Sequence, residues 1–204
     1  MPLRPTREEL EISFEKDDAP KKNNPEKRSK RAAKLTAALF AVCRVLTAAL
    51  CFLTVMYTAF FRFAVVSGSS MSPTLKDSDV LLLRCVYYGV ERGDCVVISR
   101  ESRLEEPLLK RVVAVGGDTV YIDREQGGVY VNGLLVEEPY VVEDMGPVGD
   151  YVFPVTVPYG CVFVMGDNRN DSMDSRFSSI GFIPEKDVFG KVILRIFPDP
   201  GAIG

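Results

Sequence analysis

Three stretches of the chain concentrate side chains that could do chemistry. The first is Ser67-Gly68-Ser69-Ser70-Met71-Ser72-Pro73-Thr74-Leu75, with four serines in nine residues. Gly68 and the small side chains let the backbone turn sharply and come close to another chain. Taken singly, each serine is a solvated or capping hydroxyl; it becomes a nucleophile only with a base beside it. The second is Leu108-Leu109-Lys110-Arg111-Val112-Val113-Ala114-Val115-Gly116-Gly117-Asp118. Here Lys110 and Arg111 interrupt an apolar strand pattern. Neighbours in a strand point to opposite faces, so one of the two must face inward or into a pocket. Burial disfavours an ammonium, and a lysine made neutral in this way can take a serine proton near neutral pH. The bare pattern also fits two surface charges on an edge strand. The third stretch, Gly166-Asp167-Asn168-Arg169-Asn170-Asp171-Ser172-Met173-Asp174-Ser175-Arg176, is a polar loop. Its oxygen donors would suit calcium, but the spacing is not that of an EF-hand and the arginines oppose a cation. A hydrogen-bonded Asp–Arg network is the better reading.

The sequence contains no histidine. Ser-His-Asp and Cys-His mechanisms are therefore excluded, as are the His-containing zinc protease motifs. A general base near neutral pH has to be a carboxylate, a lysine, a tyrosine or a cysteine. The five cysteines, Cys43, Cys51, Cys85, Cys95 and Cys161, form no CxxC pair. They read as small buried hydrophobes, with a Cys85–Cys95 disulfide left open by spacing alone.

The elements that must hold these groups are strands. Beyond residue 78 the chain runs as short β-type segments at 79–88, 94–99, 108–117, 118–123, 128–133, 161–166 and 191–196, rich in Val, Ile, Tyr and Phe. Gly116-Gly117-Asp118 and Asn132-Gly133 read as hairpin turns. No convincing amphipathic helix follows residue 67, so the fold class is mainly β, an antiparallel domain over residues 67–204. Residues 134–160, which hold four prolines, read as an insertion or extended hairpin.

What precedes that domain is different in kind. Residues 1–66 carry a net charge of +5 and residues 67–204 a net charge of −8. An acidic main domain argues against nucleic acid, which is bound by displacing counterions with a basic face. Residues 1–33 are polar and proline-bearing, and read as a disordered basic tail. Residues 34–66 read as one transmembrane anchor helix: Val45 to Phe61 is uncharged for 17 residues, flanked by Arg44 and Arg62. A cleaved secretory signal is the competing reading, but both the apolar run and the basic tail are long for one. Seven basic residues between Lys21 and Lys34, against the single acid Glu26, predict an N-terminus inside and an acidic domain outside.

In order along the chain, SGSSMSPTL, Arg92-Gly93-Asp94, LLKRVVAVGGD and GDNRNDSMDSRFSSIGFIP resemble the successive boxes of bacterial type I signal peptidases. The resemblance spans about residues 35–197, anchor included. It implies a membrane-bound serine endopeptidase that removes signal peptides from exported preproteins through a Ser/Lys dyad and an acyl-enzyme, cutting after small residues of Ala-X-Ala type. By position, Ser70 would be the nucleophile and Lys110 the base. Ser172 would hold the lysine amine, with Asp174 and Arg176 supporting it, and Met71 and Leu75 would lie near the substrate pocket. Gly68 stands where some members carry a serine that helps bind the oxyanion, so the Ser70 backbone N–H would have to serve. The resemblance implies no metal and no organic cofactor. The partners it implies are preproteins, the lipid bilayer and the nearby secretion translocon. Competing readings are a dedicated processing or pilus-assembly relative, an anchored β-domain that binds secreted proteins without cutting, and a self-cleaving Ser-Lys repressor.

Overall fold

The structure, a computed structural model, describes residues 25–86, 89–99, 106–123, 125, 127–142, 149–203. The expected disordered tail lies outside these residues as far as position 24. From Pro25 to Phe60 the chain is one α-helix, α1, so residues 25–33 are helical where a disordered tail is expected. Lys27, Arg28, Lys30 and Arg31 have good helix propensity, and the change from basic to apolar composition does not interrupt the backbone. From Glu26 to Phe60 the helix is long and apolar enough to cross a membrane, and its side chains from Glu26 to Ala59 are exposed on every face. It ends before the expected anchor does, because Phe61–Val65 forms a strand, β1. Apart from Arg62 these residues are aromatic, β-branched or apolar and satisfy either reading; pairing with Val80–Arg84 (β2) decides in favour of the strand.

The chain divides into two compact units, Met1–Leu53 and Thr54–Gly204. The second is built of antiparallel strands: β1, β2, β3 (Cys95–Ile98), β4 (Leu108–Val115), β5 (Thr119–Ile122), β6 (Val129–Val131), β7 (Leu134–Leu135), β8 (Val155–Thr156), β9 (Cys161–Met165), β10 (Ile183–Pro184), β11 (Val188–Phe197) and β12 (Gly201–Ala202). One eight-stranded sheet runs in the order β1-β2-β11-β3-β4-β9-β10, with β12 on β11; a four-stranded sheet runs β7-β6-β5-β8. The mainly antiparallel β class expected from the sequence is the one observed. Asn132-Gly133 makes the expected tight hairpin between β6 and β7, both residues at positive φ, 54° and 80°. Gly116-Gly117 does something else. It joins β4 of the larger sheet to β5 of the smaller one, so it is a corner between sheets and not a hairpin. A Cβ on Gly116 would lie 2.9 Å from the Tyr159 Cα, a packing that only glycine permits. Among the described part of residues 134–160, β7 and β8 do not pair with each other but lie at opposite edges of the smaller sheet; 143–148 lie outside the described residues.

Two apolar clusters matter for the site. Val66, Met71, Leu75, Leu81, Leu83, Cys95 and Val192 pack beneath the serine-rich turn. Val113, Ala114, Val120, Ile122, Val129, Val131, Phe163 and Met165 join the two sheets. β4 is buried over five consecutive residues, Lys110 to Ala114, because both of its faces are covered. All five cysteines are free thiols, so Cys85 and Cys95 are not joined. Cys95 is a buried core residue whose thiol burial pushes up to about 12.

Candidate active site

The serine-rich segment forms the turn between β1 and β2. Ser72 N–H donates to the Ser69 carbonyl and Leu75 N–H to the Met71 carbonyl, both at 2.9 Å. Met71 and Leu75 anchor the turn in the core, leaving Ser70 at its surface. Gly68 sits at φ +89°, where a side chain would be strained, and its N–H is spent on Asp77 Oδ1 at 2.9 Å. The Ser70 N–H, by contrast, makes no hydrogen bond among the described residues.

Lys110 and Ser70 meet. Lys110 Nζ lies 2.7 Å from Ser70 Oγ, and Lys110 is only 3% exposed. Burial drives the amine below the ordinary lysine value; Asp174 pulls it back up and Arg176 pushes it further down. Among the described residues Lys110 makes no ion pair. Sequence reasoning requires one of Lys110 and Arg111 to face inward. Both are buried, because the opposite face of β4 is covered too. There Arg111, 1% exposed, donates to both oxygens of Asp167 at 2.8 Å and to the Gly93 carbonyl at 2.9 Å. The Arg92-Gly93-Asp94 turn is braced in the same way, with Arg92 on Asp118 and Asp94 paired to Lys191.

The loop after β9 is the Asp–Arg network expected. Asp174 accepts from Arg176 Nε at 2.8 Å and Nη2 at 2.9 Å, from the Gly166 N–H at 3.0 Å and from the Ser172 hydroxyl at 2.6 Å. Burial alone would raise the Asp174 carboxyl, but these donors, Arg176 foremost, hold it below the ordinary carboxylate value. Ser172 thus gives its proton to Asp174, and no hydrogen bond joins it to Lys110 among the described residues. The structure still brings Ser172 close to the serine turn, because a Cβ built on Gly166 would strike both Ser172 Oγ and the Ser70 carbonyl oxygen. No group of three or more cysteine or carboxylate side chains that could hold a metal occurs among the described residues.

A groove of about 650 Å³ opens at Ser70, walled by Ala64 and Val65 of β1, Met71, and Leu108 and Leu109 of β4. Met71 therefore lines the groove, as expected. Leu75 and Gly68 do not: Leu75 is wholly buried in the core beneath the turn. Sequence reasoning missed four contributors. Asn168 donates its N–H to the Ser70 carbonyl at 3.1 Å and its side chain to the Ser69 carbonyl at 3.3 Å. Gly166 lies inside the loop motif, which could have flagged it. Glu138 and Tyr140 reach the loop from the stretch set aside as an insertion, where no periodicity marks them.

The family model for signal peptidases, peptidase S26, matches residues 39–197. Signal peptidase I U of Bacillus subtilis (strain 168) is 37% identical over 148 residues, 68% of this chain and 77% of its own. A signal peptidase I of Bacillus amyloliquefaciens is 35% identical over 187 residues, 87% of this chain and 95% of its own. A crystal structure of a signal peptidase I from Enterococcus faecalis V583 is similar at a TM-score of 0.44 and 27% identity, covering 52% of this chain and 98% of that one. The chain belongs to the signal peptidase family, peptidase S26.

Proposed function

We propose that this enzyme removes signal peptides from preproteins with Ser70 as nucleophile and Lys110 as general base. The observation that carries the reading is a buried lysine amine, free of any carboxylate partner, at 2.7 Å from a serine hydroxyl that opens on an apolar groove. A neutral amine accepts the Ser70 proton as Oγ bonds to the scissile carbonyl carbon. The oxyanion forms against the Ser70 N–H, an open backbone donor of the turn. The Lys110 ammonium then protonates the departing amine nitrogen as the C–N bond breaks, leaving an ester on Ser70. Lys110 next takes a proton from water, water attacks the ester, and Ser70 regains its hydrogen as the C–O bond breaks. Ser172 has committed its proton to Asp174, so it has only lone pairs to offer an ammonium. That is the property needed to orient the charged amine between the two steps. Asp174 and Arg176 hold Ser172 in place.

β1 is an edge strand, so an extended substrate backbone can align beside it in the groove. The apolar walls suit small residues such as alanine. α1 would be the anchor, with residues 1–33 cytoplasmic by the positive-inside rule and the β-domain, residues 67–204, on the outer face near the bilayer and translocon. Holding the site where signal peptides end is a proximity effect. The test is preprotein cleavage with product sequencing. Ser70→Ala, Lys110→Ala and Lys110→Arg should all be inactive, the last because arginine stays charged. Full activity in any of them would overturn the assignment.

A further inference from the structure

Two arginines brace the start of the loop after β9, and both are gripped from one short stretch outside every sequence motif. Glu138 takes Arg169 in a bidentate pair, Nη1 to Oε2 at 2.7 Å and Nη2 to Oε1 at 2.6 Å. Arg169 is buried and gives its Nε to the Gly166 carbonyl at 3.0 Å. Tyr140 donates its hydroxyl to Glu138 Oε1 at 3.1 Å, and its ring centroid lies 3.9 Å from Arg111 Cζ. Arg111 in turn holds both oxygens of Asp167. Glu138-Pro139-Tyr140 therefore acts on both sides of the Gly166–Asp167 peptide, with Pro139 stiffening the link between the grips. The next residue, Asn168, donates its N–H to the Ser70 carbonyl. Gly166 itself packs against that carbonyl and Ser172 Oγ. Apolar side chains of similar volume would stabilise a buried site as well as an ion pair does, or better. A bidentate pair and a cation stacked on a ring add direction, and here both are aimed at one peptide.

We propose that Glu138 and Tyr140 are positioning residues: through Arg169 and Arg111 they clamp the Gly166–Asn168 backbone against Ser70. The clamp sets the approach of Ser70 to Lys110 and keeps water from the amine. This rests on the reading of Ser70 and Lys110 as the reacting pair. Neither clamp residue lines the groove at Ser70, so their loss should fall on turnover and not on binding.

The experiment uses the full-length protein in detergent micelles and a peptide with an Ala-X-Ala cleavage site. Glu138→Gln and Tyr140→Leu should lower kcat by about 10- to 100-fold, the scale of a misplacement near 1 Å. KM should stay within about twofold, since uniform binding is untouched. The acidic limb of the kcat profile should move to higher pH. Water admitted to the amine weakens the burial that keeps it neutral, while the charges facing it (Asp174, Arg176, Asp167 and Asp171) are unchanged. Tyr140→Phe keeps the ring on Arg111 and should recover most of the loss. The clamp is overturned if both variants keep wild-type kcat. It is also overturned if activity falls only in step with the folded fraction while the pH limb stays in place. A parallel Ser70→Ala separates the two readings. If it is inert while the clamp variants are normal, only the clamp fails; if it cleaves normally, the reacting pair fails and the clamp with it.

Discussion

Gly166 follows β9 with its backbone committed at both ends, N–H to Asp174 Oδ2 at 3.0 Å and carbonyl from Arg169 Nε at 3.0 Å. A Cβ added there would lie 2.6 Å from Ser172 Cβ and nearer still to Ser172 Oγ and the Ser70 carbonyl oxygen. Ordinary contact begins at 3.4 Å, so the Ser172 Cβ would have to retreat by about 0.8 Å, and the Ser70 carbonyl oxygen and Ser172 Oγ by more. Neither can yield by swinging a flexible end. Ser70 offers a backbone carbonyl held by Asn168, and Ser172 is tied to Asp174. Gly166 has no positive φ, so alanine fits the backbone and the whole penalty is steric. Overpacking of this kind costs about 1–3 kcal/mol of stability. A displacement near 1 Å at the reacting atoms costs about 100-fold in rate. Gly166→Ala should therefore remain largely folded and lose about two orders of magnitude in kcat. Gly201→Ala is the matched control, because Gly201 has nothing within 4 Å of its Cβ position and no positive φ. The assay is preprotein cleavage by both purified variants, with thermal melts to correct for the folded fraction. Activity of Gly166→Ala within about threefold of wild type, or less than 1 kcal/mol of transition-state stabilisation, would refute the steric argument.

Asp174→Asn keeps the shape of the side chain but removes the nearby negative charge that favours the Lys110 ammonium, and leaves Arg176 opposing it. The residual activity should show its acidic limb at lower pH than wild type, because the amine then loses its proton more readily; a limb that moves to higher pH would contradict the assignment. For the anchor, protease added outside intact cells should digest residues 67–204 and spare a tag at the N-terminus, and the opposite pattern would reverse the proposed orientation.

That Lys110 meets Ser70 was legible only through the order of the motifs, because the strand pattern by itself also fits two surface charges. That both Lys110 and Arg111 would be buried was not legible. It needs Tyr140 lying over Arg111 and Asp167 pairing with it, from elements 29 and 56 residues away in sequence. The ends of α1 were hidden for a local reason. Basic residues continue a helix as readily as alanine-rich ones do, and Phe61–Val65 has the composition of an anchor as well as of a strand, so only the register with β2 separates the two. Gly116-Gly117 carries the same turn signal as Asn132-Gly133. Nothing local says that one pair reverses the chain within a sheet while the other hands it to a second sheet. Leu75, expected near substrate, instead anchors the turn, because a leucine four residues after Met71 falls on the turn's inner side.

The proposed lysine base, in a chain without histidine, meets a conflict that the arginines ease. The loop that holds Ser172 and Gly166 needs a carboxylate, Asp174, and the next strand over needs Asp167. A carboxylate left open in direct contact with Lys110 would draw the amine into an ion pair and charge it, ending its proposed service as a base. In the structure Asp174, Asp167 and Glu138 are each taken in a bidentate pair by Arg176, Arg111 and Arg169. Arginine is suited to this because its fork matches a carboxylate and it stays charged at any pH the enzyme meets. The acids thereby keep their hydrogen-bonding geometry for the loop while their charge is largely answered elsewhere. What remains for Lys110 is burial, the Ser70 hydroxyl and the pull of Asp171, which accepts from the Ser69 hydroxyl and pairs with no arginine among the described residues; burial outweighs that pull and keeps the amine below the ordinary lysine value.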